Sequence, residues 1–307
     1  MIENMTDTPF CATIGFFDGV HKGHKYIISQ LINDAKTHGM ESMVITFKQH
    51  PRQVLQQNYI PKLITICPRK EELLKATGVD KVLMLDFTRE MSNLSAKEFM
   101  QVLRDNYNVR RLLIGYDNRF GHNRNEGFRE YQNYGKELGM EVVALNAFHD
   151  QGLTYSSSMV RRMLNEGNIP NANKCLGYKY CFSGVVVHGY GEGRKLGFPT
   201  ANIKVAEEQL IPKRGVYAVK VKIDGSNNEY QGMLSIGIRP TYGDFDETIE
   251  VNIFDFNEDI YDKTISVIFI KWIREEKKFN SIEELKEEMN NDKRLTWRIL
   301  NEIPFLM

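Results

Sequence analysis

Up to about residue 165 the chain alternates short apolar runs with stretches whose apolar positions recur every three or four residues. The runs Phe10–Ile14, Met43–Phe47, Val82–Phe87, Leu112–Tyr116 and Met140–Leu145 read as strands. Between them, Ile28, Leu31, Ile32 and Ala35 give a helix one buried face, and Pro68 stands near the first turn of a helix over 68–77. Ser95 and Glu98 form a capping box ahead of Phe99, Val102 and Leu103. Further helices are predicted over 126–138, ending before Gly139, and over 157–165 with Ser158 at the N-cap. Strands separated by helices imply βαβ units, hence a doubly wound parallel sheet of Rossmann-like type.

After Gly167, Asn168 and Pro170 the pattern changes. Strand-like runs over 181–188, 216–223, 229–236, 248–256 and 264–270 follow one another across Gly- and Asn-rich turns without intervening helices. Such spacing predicts a small antiparallel β-barrel. A last helix opens at a second capping box, Ser281 and Glu284, with Ile282, Leu285 and Met289 on one face. The boundary falls near residues 167–179, giving domains 1–170 and 171–307.

At 307 residues the chain is long for one core and comfortable for two. Forty Lys and Arg balance forty Asp and Glu, so no extended nucleic-acid or anionic-membrane surface is indicated. Cys11, Cys67, Cys175 and Cys181 lack CxxC spacing, which argues against a zinc site or a disulfide framework and fits a reducing compartment. The first residues carry no basic and apolar leader pattern, and no apolar run approaches the roughly 20 residues of a membrane span. A soluble cytoplasmic protein is the expectation.

The candidate chemistry centres on residues 13–24, where an apolar run meets Gly15, Gly19 and Gly23 and two histidines, His21 and His24, just before a helix. Glycines allow close backbone approach, and the unpaired N–H groups of the helix start attract anions, so the stretch reads as a phosphate site at a strand's carboxyl end. Two histidines at i, i+3 without further ligands nearby make a weak zinc site. Three more stretches fall at carboxyl ends of predicted strands: Thr46 to Pro51, including His50; Gly115 to Gly121, including Asp117 and Asn118; and Ser156, Ser157 and Ser158 with Arg161. Together they bring a cation, hydroxyls, amide donors and an acid to one rim. In the second half, Gly191, Gly193, Arg194, Lys195 and Gly197 lead into Pro199, Thr200 and Asn202. The segment lacks a Walker lysine motif and opens no obvious helix. It offers flexible backbone and two cations, then a hydroxyl and an amide oxygen of the kind Mg²⁺ accepts beside phosphates.

The stretch from Gly15 to His24, GxFDGVHxGH, resembles the HxGH signature of the nucleotidyltransferases in the form found in bacterial bifunctional riboflavin kinase/FAD synthetases. The TFxxHP and GxDxxFG blocks and a variant of the SSTxIR block follow in that family's order, and GxGRxLGFPTAN from Gly191 to Asn202 is similar to its riboflavin kinase signature. Lys48 and Gln49, Ser158, Val160 and Ser235 depart from the family's usual residues. The resemblance implies an N-terminal FMN adenylyltransferase and a C-terminal riboflavin kinase, acting on riboflavin, FMN and ATP with Mg²⁺. It gives His21 and His24 the role of hydrogen-bond donors to the transferring phosphate. Gly15, Phe16, Asp18, Gly23, His50, Asp117, Asn118 and Ser156 to Ser158 would hold ATP, with Arg161 near its triphosphate. In the kinase, Gly193, Arg194, Lys195, Gly197 and Thr200 would hold phosphates and Thr200 and Asn202 the Mg²⁺. Glu250 would be the base, and Arg239, Thr241 and Arg274 would contact flavin. A chain retaining only the kinase, or a flavin-binding regulator without catalysis, is the alternative.

Overall fold

The structure is a computed structural model that describes residues 8–56, 58–115, 118–122, 125–145, 155–189, 191–238 and 247–302. The chain divides into two compact units, residues 1–157 and 158–307.

The first unit runs β1 (Phe10–Ile14), α1 (Lys22–Thr37), β2 (Glu41–Phe47), α2 (Pro51–Leu55), α3 (Arg69–Lys75), β3 (Lys81–Leu85), α4 (Arg89–Asn93), α5 (Ala96–Tyr107), β4 (Val109–Gly115), α6 (Phe128–Leu138) and β5 (Glu141–Leu145). The five strands form one parallel sheet in the order β3-β2-β1-β4-β5. Every residue of β1 is buried, as a central strand covered on both faces requires. From β1 the chain winds outward through β2 and β3, then returns to β4 on the other side. The switch point therefore lies beyond the carboxyl ends of β1 and β4, where such sheets bind ligands. One face of the sheet is closed by Phe99, Met100 and Leu103 of α5 and Tyr131 of α6, packed against Ala12, Met43, Leu112 and Val142. The capping box at Ser95 is present, and α6 ends at a left-handed Gly139.

Next comes α7 (Ser157–Asn165), which begins as the first unit ends. Because the helix starts at Ser157, Ser158 lies in its first turn and is not its N-cap. The second unit continues with α8 (Ile169–Leu176), β6 (Cys181–Val187), α9 (Glu192–Lys195), β7 (Ala201–Val205), β8 (Gly215–Ile223), β9 (Glu229–Ile238), β10 (Glu247–Ile253), β11 (Thr264–Arg274) and α10 (Ile282–Glu302). Its strands close a barrel in the order β10-β7-β6-β11-β8-β9. Tyr217, Phe269, Val219 and Val251 are fully buried in it. On α10, Ile299 and Leu300 pack against Ala218 and Ile270, and Met289 packs against Phe198, Met233 and Phe254. Ile282, expected on the buried face, is exposed.

Two of these elements correct the sequence reading. The glycine-rich segment does open a helix, the four-residue α9, and Asn202 stands in a strand, β7.

Candidate active sites

In the first unit the turn after β1 is held in a costly backbone conformation. Phe17 and Val20, neither of them glycine, have φ of 54° and 34°, a state that costs on the order of 1–3 kcal/mol per residue and persists only where neighbours enforce it. Asp18 is the main enforcer. Its buried carboxylate accepts the amides of Ile64 (3.1 Å) and Thr65 (3.0 Å), while Gly19 N–H donates to the Thr65 hydroxyl (2.9 Å). Ser157 Oγ donates to the Asp18 carbonyl (2.8 Å). The Asp18 carboxylate is thus turned into the fold.

This turn delivers His21 to the N-cap of α1, where its Nδ1 accepts the His24 amide at 3.3 Å. A backbone N–H can only donate, so a neutral His21 carries its proton on Nε2. His24 stacks on His21, ring centroids 3.6 Å apart and 20° from parallel, with the Phe17 edge 5.1 Å away. Burial, and secondarily the His21 charge, hold the His24 pKa well below its ordinary 6.5. Its Nδ1 is buried without a hydrogen-bond partner. Gly23 is required between them, since a Cβ there would lie 2.9 Å from the Tyr155 carbonyl oxygen. That close approach brings the 155–157 segment against the turn.

Thr13, Ile14, Gly15, Phe16, Phe17, His24, Gly115, Asn118 and Arg119 line a cavity of about 520 Å³ at the switch point. Asn118 bridges the two strands there, its Nδ2 donating to the Ile14 carbonyl at 2.5 Å. A second cavity, about 230 Å³, shares Gly15, Phe16, Asn118 and Arg119 and is walled by Phe47, Phe87, Phe99 and Phe120. His50 caps α2, Nδ1 accepting the Arg52 amide at 3.2 Å, and its ring meets the Phe16 edge with centroids 4.8 Å apart. Arg161 and Ser158 lie on α7, counted with the second unit. Asp117 lies outside the described residues. Arg119, which lines both cavities, was not among the sequence candidates although it sits inside the GxDxxFG block.

In the second unit Glu250 of β10 is opposite Asn202 of β7 on one side and Ser235 of β9 on the other, and residues opposed in antiparallel register share a face. The Thr200 hydroxyl donates to Glu250 Oε2 at 3.1 Å. The Asn202 amide lies over the bare Cα of Gly189, where a Cβ would come within 2.1 Å of Nδ2. Pro199 is fixed by Asn252, whose Nδ2 donates to its carbonyl at 2.6 Å. Arg194, Pro199, Thr200, Ala201, Phe256, Asp259 and Tyr261 line a cavity of about 500 Å³. Gly193, Lys195 and Gly197 stand in or beside α9, whose backbone closes on itself through Phe198 N–H to the Gly193 carbonyl (2.8 Å) and Gly197 N–H to the Arg194 carbonyl (3.2 Å).

Arg274 stands at the end of β11. Its Nε and Nη2 donate to Asp292 of α10 (3.0 and 2.7 Å), and Nη1 donates to the Glu275 carbonyl (2.8 Å). The guanidinium anchors α10 to the end of β11. Arg239 and Thr241 lie outside the described residues.

A family model for FAD synthetase matches residues 3–159, and one for riboflavin kinase matches 176–300. The bifunctional riboflavin kinase/FMN adenylyltransferase of Pseudomonas fluorescens is 38% identical over 92% of this chain and 90% of its own length. The Escherichia coli K12 protein of the same description is 35% identical over 95% and 94%. The chain belongs to the bifunctional riboflavin kinase/FMN adenylyltransferase family. Its fold also matches a crystal structure described as a macrolide-efflux protein from Streptococcus pneumoniae, with a TM-score of 0.85, 31% identity and coverage of 96% and 95%. Among the described residues no helix is long and apolar enough to cross a membrane.

Proposed function

We propose that this chain is a bifunctional flavin-cofactor enzyme, with residues 171–307 phosphorylating riboflavin to FMN and residues 1–170 adenylylating FMN to FAD. ATP is the donor in both reactions. The observation that carries the reading is that each family match encloses its own polar-rimmed cavity built on that family's motif: His24 at the switch point of the sheet, Thr200 on the barrel.

In the first reaction a phosphate oxygen of FMN attacks the α-phosphorus of ATP, the bond to the β-phosphate oxygen breaks, and pyrophosphate leaves. No protein nucleophile is needed, so this domain contributes positioning and charge stabilisation. The Nε2–H of His21, and His24 beside it at the N-terminus of α1, donate to phosphate oxygens. Gly15, Phe16 and Asn118 line the nucleotide cavity, and by the family's motifs Gly23, His50, Asp117, Ser156 to Ser158 and Arg161 would also contact ATP. The aromatic cavity beside it suits the flavin ring system.

In the second reaction the ribityl 5′-hydroxyl attacks the γ-phosphorus, its proton passes to Glu250, and ADP leaves. Thr200 Oγ1 and Asn202 Oδ1 would hold Mg²⁺. The donor set fits: both are hard oxygens, and Thr200, by donating its hydrogen to Glu250, leaves oxygen lone pairs for a cation. When bound, the ion neutralises phosphate charge. Arg194 lines the cavity, and Gly193, Lys195 and Gly197, in or beside α9, would join it in facing the phosphates. We place the enzyme in the cytoplasm, where its four free thiols would stay reduced.

Incubation of the full chain with riboflavin, ATP and Mg²⁺, with FMN and FAD separated by chromatography, tests the reading. Accumulation of both flavins is expected. FMN alone would reduce the chain to a kinase, and no riboflavin-dependent ATP consumption would leave a non-catalytic flavin binder.

A further inference from the structure

Lys70 is the one lysine among the largest fully buried side chains of the described residues, 1% exposed. Nothing in its own helix accounts for this. It lies in the first turn of α3, where a cation opposes the helix dipole, and burial alone disfavours an ammonium. What surrounds it is the edge of the adenylyltransferase site. Nζ donates to the Phe47 carbonyl at 2.6 Å and to the Phe16 carbonyl at 3.4 Å, and stands 4.1 Å from the centre of the Phe16 ring. These three acceptors match the three protons of an ammonium. The Phe16 carbonyl also accepts the Thr46 hydroxyl at 3.0 Å, and the Phe16 ring is the one whose edge meets His50. Phe16 lines both cavities of the first unit and Phe47 lines the aromatic one.

We propose that Lys70 is a positioning residue for adenylyl transfer, its ammonium fixing the strained turn after β1 against the exit of β2 and holding the Phe16 ring between the nucleotide and aromatic cavities. The inference rests on the adenylyltransferase reading of that site. Burial lowers the Lys70 pKa, while Cys67 and, less strongly, the Asp18 carboxylate act in the opposite direction and favour the ammonium. In the site the cation contacts Phe16 and Phe47. It acts through two backbone carbonyls and one ring, so its loss should displace the reacting groups more than it weakens ATP binding. A misplacement of about 1 Å is enough to reduce turnover by on the order of 10².

The test compares Lys70→Met, which keeps length and suits a buried site, with Lys70→Arg, which keeps charge and donors, both in the full chain. Riboflavin phosphorylation by the second unit serves as an internal control. For Lys70→Met we expect kcat for FMN adenylylation to fall about 10- to 100-fold. The KM for FMN should rise, the KM for ATP should stay within about threefold, and FMN formation should be unchanged. Lys70→Arg should recover at least about tenfold of the lost kcat, the charge-assisted donors being restored. Lys70→Met with kcat within about twofold of wild type overturns the inference, as does Lys70→Arg performing no better than Lys70→Met. Loss of the first unit's thermal transition in both variants would make Lys70 a residue of the fold and equally overturns it. Wild-type chain that forms FMN but no FAD overturns the adenylyltransferase reading and this inference with it.

Discussion

The hydroxyl of Thr200 donates to the carboxylate of Glu250 across neighbouring strands, 3.1 Å apart, with Asn202 directly opposite Glu250 in the register. One hydrogen bond therefore links the proposed metal ligand to the proposed base. Glu250→Gln removes the base while keeping shape. Riboflavin phosphorylation should fall by about 10²-fold or more, within or beyond the usual range for a general base, while adenylylation of supplied FMN continues. Both rates are read from one chromatogram. Loss of both activities would make Glu250 a structural residue.

His24→Ala should give the converse separation. Adenylylation is expected to drop by on the order of 10², the scale for one positioned donor to a charged transition state, with FMN synthesis preserved. A variant retaining near wild-type FAD formation would remove His24 from the chemistry.

Acid should weaken the first unit through the same residue. His24 is held neutral in the fold, with a pKa well below 6.5, whereas the unfolded chain binds a proton there below about pH 6.5. The unfolded state then holds more protons, so stability is unaffected above that pH and declines as pH falls beneath it, by up to about 1.4 kcal/mol per pH unit. Thermal melts between pH 7.5 and 5.5 should show this slope reduced in His24→Phe. An unchanged slope refutes the assignment.

Asp18→Asn tests whether the strained turn is enforced as described. The variant amide can accept one of the Ile64 and Thr65 N–H groups but must direct a donor at the other. A hydrogen bond to a charged group is worth about 1.5–3 kcal/mol, so destabilisation of that order is expected, together with slower adenylylation. A melt indistinguishable from wild type would show that Phe17 and Val20 are held by something else.

Arg274→Ala should act on the barrel's outer helix. Asp292 is 4% exposed, and stranding one partner of a buried pair costs on the order of 3 kcal/mol. Early melting of the second unit, with Arg274→Lys intermediate because it lacks the planar fork, is the expected outcome in circular dichroism.

Much of this was legible in the chain because local and tertiary signals agreed. Phe10 to Ile14 is uniformly apolar, and it became the covered central strand. Ser95 and Glu98, and Ser281 and Glu284, announce helix starts by side-chain chemistry alone, and Glu284 N–H does bond the Ser281 hydroxyl at 3.1 Å. Where the reading diverged, the deciding interaction is distant in sequence. Ala201 to Val205 includes Asn and Lys and has weak strand character, yet β6 and β10 flank it and supply its ladder. The helix α8 was hidden by Gly167 and Pro170, which read as linker although Pro170 stands in the first turn, where proline is tolerated. Lys70 looks like any charged helical residue, since nothing near it in sequence shows that Phe16 and Phe47 will close over it. That Arg274 anchors α10 could not be read from its neighbours in sequence, because its partner Asp292 stands eighteen positions later.

The self-closed backbone around α9 bears on how the barrel meets ATP. Arg194, Leu196, Gly197 and Phe198 already donate to carbonyls within the same short segment, so those amides are ordered before a nucleotide arrives. Fixing a free backbone costs about 1–2 kcal/mol per residue. For this stretch that loss is incurred during folding, so ATP association should carry a correspondingly small entropic penalty and retain more of its contact energy as affinity.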